Sequence, residues 1–200
     1  MQQTGGMRLS IVEMQETTQR YTIDNKNSQF KVRAFATGML SAFGHSPTIA
    51  IPDFNGEISF NPDVLEQSSM RLVIHSPSLT DTDDIREKDR VEINRVMHEE
   101  VLESDAFPEI VYECSRLSAN RIAEGQYSAT MDGELTLRGI KRSQPVSLRI
   151  SMNGDVLRAT GDFSVRQSDY EIRPVSAAGG TIKLKDELKF SFDISARREA

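Results

Sequence analysis

Two hundred residues, 38% hydrophobic and 27% charged, describe an ordinary soluble globular chain, long enough to bury the core of one β-rich domain. A net charge of -6 and a pI near 5.2 leave no basic footprint for nucleic acid and disfavour anionic membrane surfaces. The single Cys114 excludes an intramolecular disulfide and any multi-thiolate zinc site, so nothing demands an oxidising compartment.

Residues 1–20 form a polar leader, rich in Gln and Thr, whose apolar residues Leu9, Ile11, Val12 and Met14 are interrupted by Ser10 and Glu13. As written it holds neither a signal peptide nor a membrane helix, which implies a cytoplasmic protein without stable membrane insertion. From Tyr21 to the C-terminus the chain reads as one domain of short alternating runs. Tyr21-Thr22-Ile23-Asp24 predicts a strand, Asn25 to Ser28 a turn, and Phe30, Val32, Ala34 and Ala36 the inward face of a second strand. Met39 to Ile51, with Gly38, Gly44 and Pro47, predicts an irregular crossing and a first candidate functional segment.

Phe54, Gly56, Ile58 and Phe60 alternate, and Asn61-Pro62-Asp63 closes that strand; Met70, Leu72 and Ile74 line the next until Pro77 ends it. Asp84 to Glu103 predicts the only substantial helix. Asp84 and Glu87 have capping-box spacing, Ile85, Ile93, Val96, Met97 and Val101 share a face, and Val91 and Leu102 fall off it. Such a helix packs across one end of a sheet or barrel.

Ile110, Tyr112 and Cys114 then alternate, followed by a long half-buried strand in Gly125 to Leu137 with Tyr127, Ala129, Met131, Gly133, Leu135 and Leu137 on one side. A polar loop from Arg138 to Pro145 leads to Val146, Leu148 and Ile150, and Asn153-Gly154-Asp155 predicts a tight hairpin. Leu157, Ala159, Gly161, Phe163 and Val165 line the next strand, Gly179-Gly180 marks a turn, and Leu188, Phe190, Phe192 and Ile194 line the last. The fold predicted is all-β with one helix: an antiparallel up-and-down β-barrel of about eight strands, because closure disposes of apolar edges that neither Pro nor a bulge protects.

Several of these pieces together resemble the YceI-like family. They are Tyr21-Thr22-Ile23-Asp24 with Ser28 and Phe30, Phe54-Asn55-Gly56-Glu57-Ile58-Ser59-Phe60, Ser76-Pro77-Ser78-Leu79, Phe107-Pro108-Glu109-Ile110-Val111-Tyr112, Gly133-Glu134-Leu135-Thr136-Leu137-Arg138-Gly139-Ile140 and Phe163-Ser164-Val165 to Ile172. The resemblance implies an extended lipocalin-like barrel whose apolar tunnel holds a long isoprenoid or similar amphiphile. It also makes a periplasmic location the alternative to a cytoplasmic one, since many members are exported. The chain departs from the family pattern at Tyr21, where Trp is common, at Asn27, where His often precedes the Ser, and at Glu171, where Gly commonly follows the aromatic.

The tunnel would be lined by Phe30, Phe54, Ile58, Met70, Leu72, Ile74, Tyr112, Met131, Leu148, Phe163, Phe190 and Phe192. The alternative is that these side chains fill the interior themselves. Ala34, Gly56, Ala129, Gly133, Ala159 and Gly161 argue for space, or else accommodate coiling of the barrel. Ten buried methylene groups contribute about 8 kcal/mol against an association cost of about 4 to 15 kcal/mol, so only a long or head-anchored amphiphile would bind well. Phe43 and His45, with Arg166 and Tyr170, are candidates for the barrel mouth and a ligand head group; a loop histidine satisfying backbone carbonyls is the plainer reading of His45.

His45, His75 and His98 show no local metal-ligand spacing, and Asp81, Asp83 and Asp84 lack the Gly and distal Glu of a calcium loop, so neither metal nor cofactor is expected beyond a bound lipid. Cys114 shares its face with Ile110 and Tyr112 and reads as a buried, inert thiol. No nucleophile elbow, phosphate loop or dinucleotide fingerprint is present. A carrier of an amphiphilic small molecule, with no chemistry of its own, is therefore the expected function; a homodimer remains compatible with the sequence. An enzyme using His45 with a carboxylate in the same cavity, or a filled barrel interacting through its helix, are the alternatives.

Overall fold

A computed structural model describes residues 18–37, 46–177 and 182–199. Among the described residues, period-two alternation is realised along most of the strands. The strands are β1 (Gln19–Ile23), β2 (Gln29–Arg33), β3 (Ala36–Thr37), β4 (Thr48–Ala50), β5 (Phe54–Phe60), β6 (Ser69–His75) and β7 (Thr80–Asp81), then β8 (Glu109–Ala123), β9 (Gln126–Leu137), β10 (Ile140–Ser143), β11 (Val146–Asn153), β12 (Val156–Arg166), β13 (Ser176–Ala177), β14 (Ile182–Leu184) and β15 (Glu187–Arg198). The helix α1 (Glu87–Val96) lies between β7 and β8. Gln19 and Arg20, read as leader, already belong to β1, while the proposed Gly179-Gly180 turn lies outside the described residues.

Eight strands close antiparallel in the order β1-β5-β6-β8-β9-β11-β12-β15, and β15 returns to β1 through Tyr21–Arg198 and Ile23–Ala196. Closure is unequal along the barrel. β1 pairs with β5 only over Gln19–Phe60 to Thr22–Glu57. Past the short 3-10 turn at Asn25–Asn27 the chain stays on β15 as β2 but leaves β5 and takes β4 as its other neighbour, which in turn carries β7. The barrel is therefore shut at the β1 end and splayed at the β2 end. There a second small sheet, β13-β14-β3, flanks it.

The loop expected after Leu137 is a hairpin of its own. Arg138 and Gly139 take φ of 49° and 71°, the left-handed pair that a two-residue turn requires, so β10 pairs with the end of β9 before β11 pairs with its beginning. Glu171 also sits in the left-handed region at φ 57°, where Gly would be unstrained, so the departure noted in the sequence puts a side chain at a position whose backbone favours Gly.

The helix is shorter and differently capped than its periodicity implies. It starts after Arg86 with no side-chain cap, because the acids before it tie neighbouring segments instead: Asp83 Oδ2 accepts from the Thr48 N–H at 2.9 Å and Asp81 Oδ1 from the Asp83 N–H at 3.0 Å. It ends in a π-type turn over Met97–Val101, where the Leu102 N–H donates to Met97 O at 2.8 Å. That five-residue step stacks Leu102 beneath Met97 and returns it to the inward face, correcting its placement off the apolar stripe. Leu102 is buried, whereas Val91 is exposed as expected.

Arg90, Asn94 and His98 form a polar stripe along the same helix that holds it to residues 79–83. Arg90 donates to Asp83 O at 2.9 Å, Asn94 Oδ1 accepts from the Asp81 N–H at 2.9 Å, and His98 Nε2 lies 2.9 Å from Leu79 O. Because that carbonyl can only accept, Nε2 carries a proton and donates; Nδ1 lies 3.0 Å from Ser104 Oγ, which is 2.8 Å from the buried Ser76 Oγ. No residue of α1 is fully buried. It covers the splayed end without plugging it.

Candidate functional site

At the closed end the interior is solid. Tyr21, Phe60, Leu117, Tyr127, Leu157 and Ala196 are all buried, and Phe60 meets Tyr127 edge-on at 5.7 Å. At the splayed end the same inward alternation surrounds a cavity of about 640 Å³. Its wall is overwhelmingly apolar, built from β2, β4, β5, β6, β8, β9, β11, β12 and β15, from Ile23 at the end of β1, and from the underside of the helix through Ile93, Val96, Met97, Val101 and Leu102. Charged groups appear at the rim: Glu92, Arg95 and Glu100 from the helix side and Lys183 from β14. Arg95 is neutralised locally by Glu92, Glu99 and Glu100, at 2.8, 2.8 and 3.2 Å, and these partners push its pKa up.

Phe30, Ile58, Met70, Leu72, Ile74, Tyr112, Met131, Leu148, Phe163, Phe190 and Phe192 all face this cavity. Phe54 does not. It is buried beyond the point where β5 parts from β1, with its ring edge-on to Phe30 at 6.3 Å, and Phe30 in turn contacts Phe163, Phe190 and Phe192. Phe163 and Phe190 stack at 4.8 Å with an 11° interplanar angle, so the aromatic wall is packed against itself.

The space attributed to small residues needs partial correction. Ala34 and Ala159 do border the cavity. Gly133 and Gly161 instead make room for rings: a methyl at Gly133 would sit 2.3 Å from the Tyr112 hydroxyl, and one at Gly161 would sit 2.7 Å from the Phe192 ring. Tyr112 thereby lies flat on the sheet and gives its O–H to Gln144 O at 3.0 Å, while burial pushes its pKa up.

Of the four proposed mouth residues, the structure describes two. Phe43 and His45 lie outside the described residues. Arg166 is exposed and Tyr170 is buried, and neither borders the cavity. Strand parity accounts for the first: Phe163 and Val165 point inward, so Arg166 must point out and Gln167 in. Gln167 does face the cavity and was missed, as were Ile172 and Leu188 beside it. Tyr170 is drawn into the core by the 3-10 turn Gln167–Tyr170.

Cys114 is buried, donates to Arg116 O at 3.0 Å beside a β-bulge, and has its thiol pKa pushed up by burial. Among the described residues no group of His, Cys, Asp and Glu could hold a metal ion, and no helix is long and apolar enough to cross a membrane.

A family model for the YceI-like domain matches residues 21–196. No curated protein gives a significant match. Among solved structures, Burkholderia cenocepacia BcnA superposes with a TM-score of 0.64 at 16% identity, covering 86% of this chain and 98% of that one. A polyisoprenoid binding domain from Saccharophagus degradans, described as implicated in plant cell wall breakdown, gives 0.64 at 12% identity over 90% and 98%. The Campylobacter jejuni YCEI protein gives 0.55 at 13% identity over 76% and 84%. At these identities the likeness concerns the fold.

Proposed function

Since the chain belongs to the YceI-like family, we propose that it binds a long-chain amphiphile, an isoprenoid or similar lipid, inside the splayed half of its barrel, and that it carries or sequesters this molecule without transforming it. The observation that supports this most directly is the contrast within one interior: a packed end and, next to it, an apolar void of about 640 Å³. At roughly 30 Å³ per methylene-sized group, about the share of one water in the liquid, such a void has room for about twenty groups. The apolar lining of that space suits a tail better than a polar metabolite. The polyisoprenoid-binding description of the Saccharophagus degradans domain points to the same ligand class.

Chemistry within the cavity is disfavoured by the state of its polar groups. The Tyr112 hydroxyl is engaged by a backbone carbonyl, and Cys114, off the wall, is held neutral. The apolar wall takes the tail, which displaces only weakly held solvent there.

Native mass spectrometry of protein purified without detergent, followed by organic extraction, tests this reading. A co-purifying species with an alkyl or prenyl tail, released on denaturation, is expected. Protein that emerges empty and fails to take up any C15 to C20 amphiphile would overturn it.

A further inference from the structure

We propose that Gln167 is the polar anchor of the cavity: its side-chain carbonyl Oε1 accepts a hydrogen bond from a neutral donor head, a hydroxyl or an N–H, on the amphiphile held there. The inference rests on the binding reading above and adds a head-group chemistry to it.

Gln167 follows β12 directly, at the start of the 3-10 turn, and is only 2% exposed. Its position is locked at both ends, since its N–H donates to Asp186 O at 3.0 Å and the Ile172 N–H donates to its own carbonyl at 3.1 Å. The side-chain amide is oriented by chemistry as well as by shape. Nε2 donates to Lys185 O at 2.9 Å and to Asp186 O at 3.4 Å. Backbone carbonyls can only accept, so the NH2 must face them and Oε1 must face the other way. The residue borders the cavity, and among the described residues no donor meets Oε1.

The donors of the next residue are taken: the Ser168 N–H and hydroxyl both go to the Asp186 carboxylate, at 2.8 and 2.6 Å. An amide oxygen left facing an apolar-walled space still needs a donor from whatever fills that space, whereas an apolar side chain of similar length would need none. Half of this amide holds the turn before β15. The other half is left facing the ligand space, where a hydroxyl or N–H donor completes it and an ionised carboxylate, offering only lone pairs, does not.

The test uses farnesol and farnesyl methyl ether, equal in tail and differing in the donor. Displacement of a bound fluorescent apolar probe is measured for the wild type and for Gln167→Met, which keeps the length and removes both amide atoms. Expected is a preference for the alcohol of about tenfold in the wild type, the ratio that one net hydrogen bond gives. In the variant the preference falls to near unity while the ether binds within about twofold of wild type. A wild type that binds both alike, or a variant that keeps the preference, overturns the anchor and leaves the cavity reading standing. Failure of both compounds to displace the probe overturns the cavity reading itself. If the variant does not fold, the side-chain carbonyl carbon resonance of wild-type Gln167 decides: it shifts with the alcohol and not with the ether, or the anchor is wrong.

Discussion

Leu157 and Ala159 point inward from the same strand, one pair of residues apart, yet Leu157 belongs to the packed end and Ala159 to the wall of the cavity. Nothing in the alternation separates them. The difference lies in what stands opposite. Where β1 pairs with β5 the barrel is narrow, and Tyr21, Phe60 and Tyr127 meet across it; where β2 turns away to β4 the wall recedes beyond the reach of its own side chains. A stability core and a binding space are thus made from one pattern by changing the partner of a single strand.

The sharpest way to break this comparison is truncation of one ring in each half. Phe60→Ala empties a site that is 1% exposed and packed on Tyr127, so it should cost about 3 to 5 kcal/mol in urea unfolding. Phe163→Ala, in a half-buried ring that stacks on Phe190 with one face and borders the void with the rest, should cost less, about 2 kcal/mol, because the part toward the void has no protein partner to lose. Equal costs would mean that the two ends are packed alike.

Enlargement sharpens the same contrast. Leu157→Phe overfills the packed end and should cost about 1 to 3 kcal/mol. Ala159→Phe grows into open space and should leave the unfolding midpoint unchanged or raise stability by about 1 kcal/mol, yet lower the affinity for a C15 amphiphile at least tenfold as the tail loses its room. A ligand-binding assay beside a thermal melt separates these outcomes.

The edge of the cavity depends on polar ties, whose loss is smaller. Ser104→Ala leaves the Ser76 hydroxyl and His98 Nδ1 without their shared partner and should destabilise by about 1 to 2 kcal/mol. Hydrogen exchange should show the loss concentrated in α1 and the turn after it, with the packed end unaffected.

Much of this was legible from residue order because the barrel is a period-two object. Inward faces such as Leu72-Ile74 and Phe190-Phe192 are decided by local parity, and parity needs no knowledge of neighbours. Applied consistently, it also excludes Arg166 and admits Gln167. Whether an inward residue fills space or borders it was not legible, since that depends on strands distant in the chain: Phe54 reads like Phe30 but lies behind it. Glycine misled for the same reason, as the Tyr112 and Phe192 rings that occupy its empty face come from neighbouring strands. Leu102 was hidden by a π turn that no apolar spacing announces.

The smallest effect expected concerns the boundary between the halves, where Cys114 pairs with Met70 on one side and Gly133 on the other. Met70 borders the cavity and Cys114 does not. Burial raises the thiol pKa, so the folded protein keeps the proton at a pH where the unfolded chain begins to release it. The sign follows: this group costs nothing below the ordinary thiol value, and stability declines as pH rises above it toward the raised folded value. The slope of the urea midpoint between pH 8 and 9.5 should therefore be slightly steeper in the wild type than in Cys114→Ala, before the raised tyrosines Tyr21, Tyr112 and Tyr170 add the same sign at higher pH. In the same window a neutral disulfide reagent should label native Cys114 only as fast as the barrel opens, with or without a ligand bound. Rapid labelling that a bound amphiphile suppresses would instead carry the void past Met70 to the thiol, and would move the boundary between the packed and open halves by one residue pair toward the closed end.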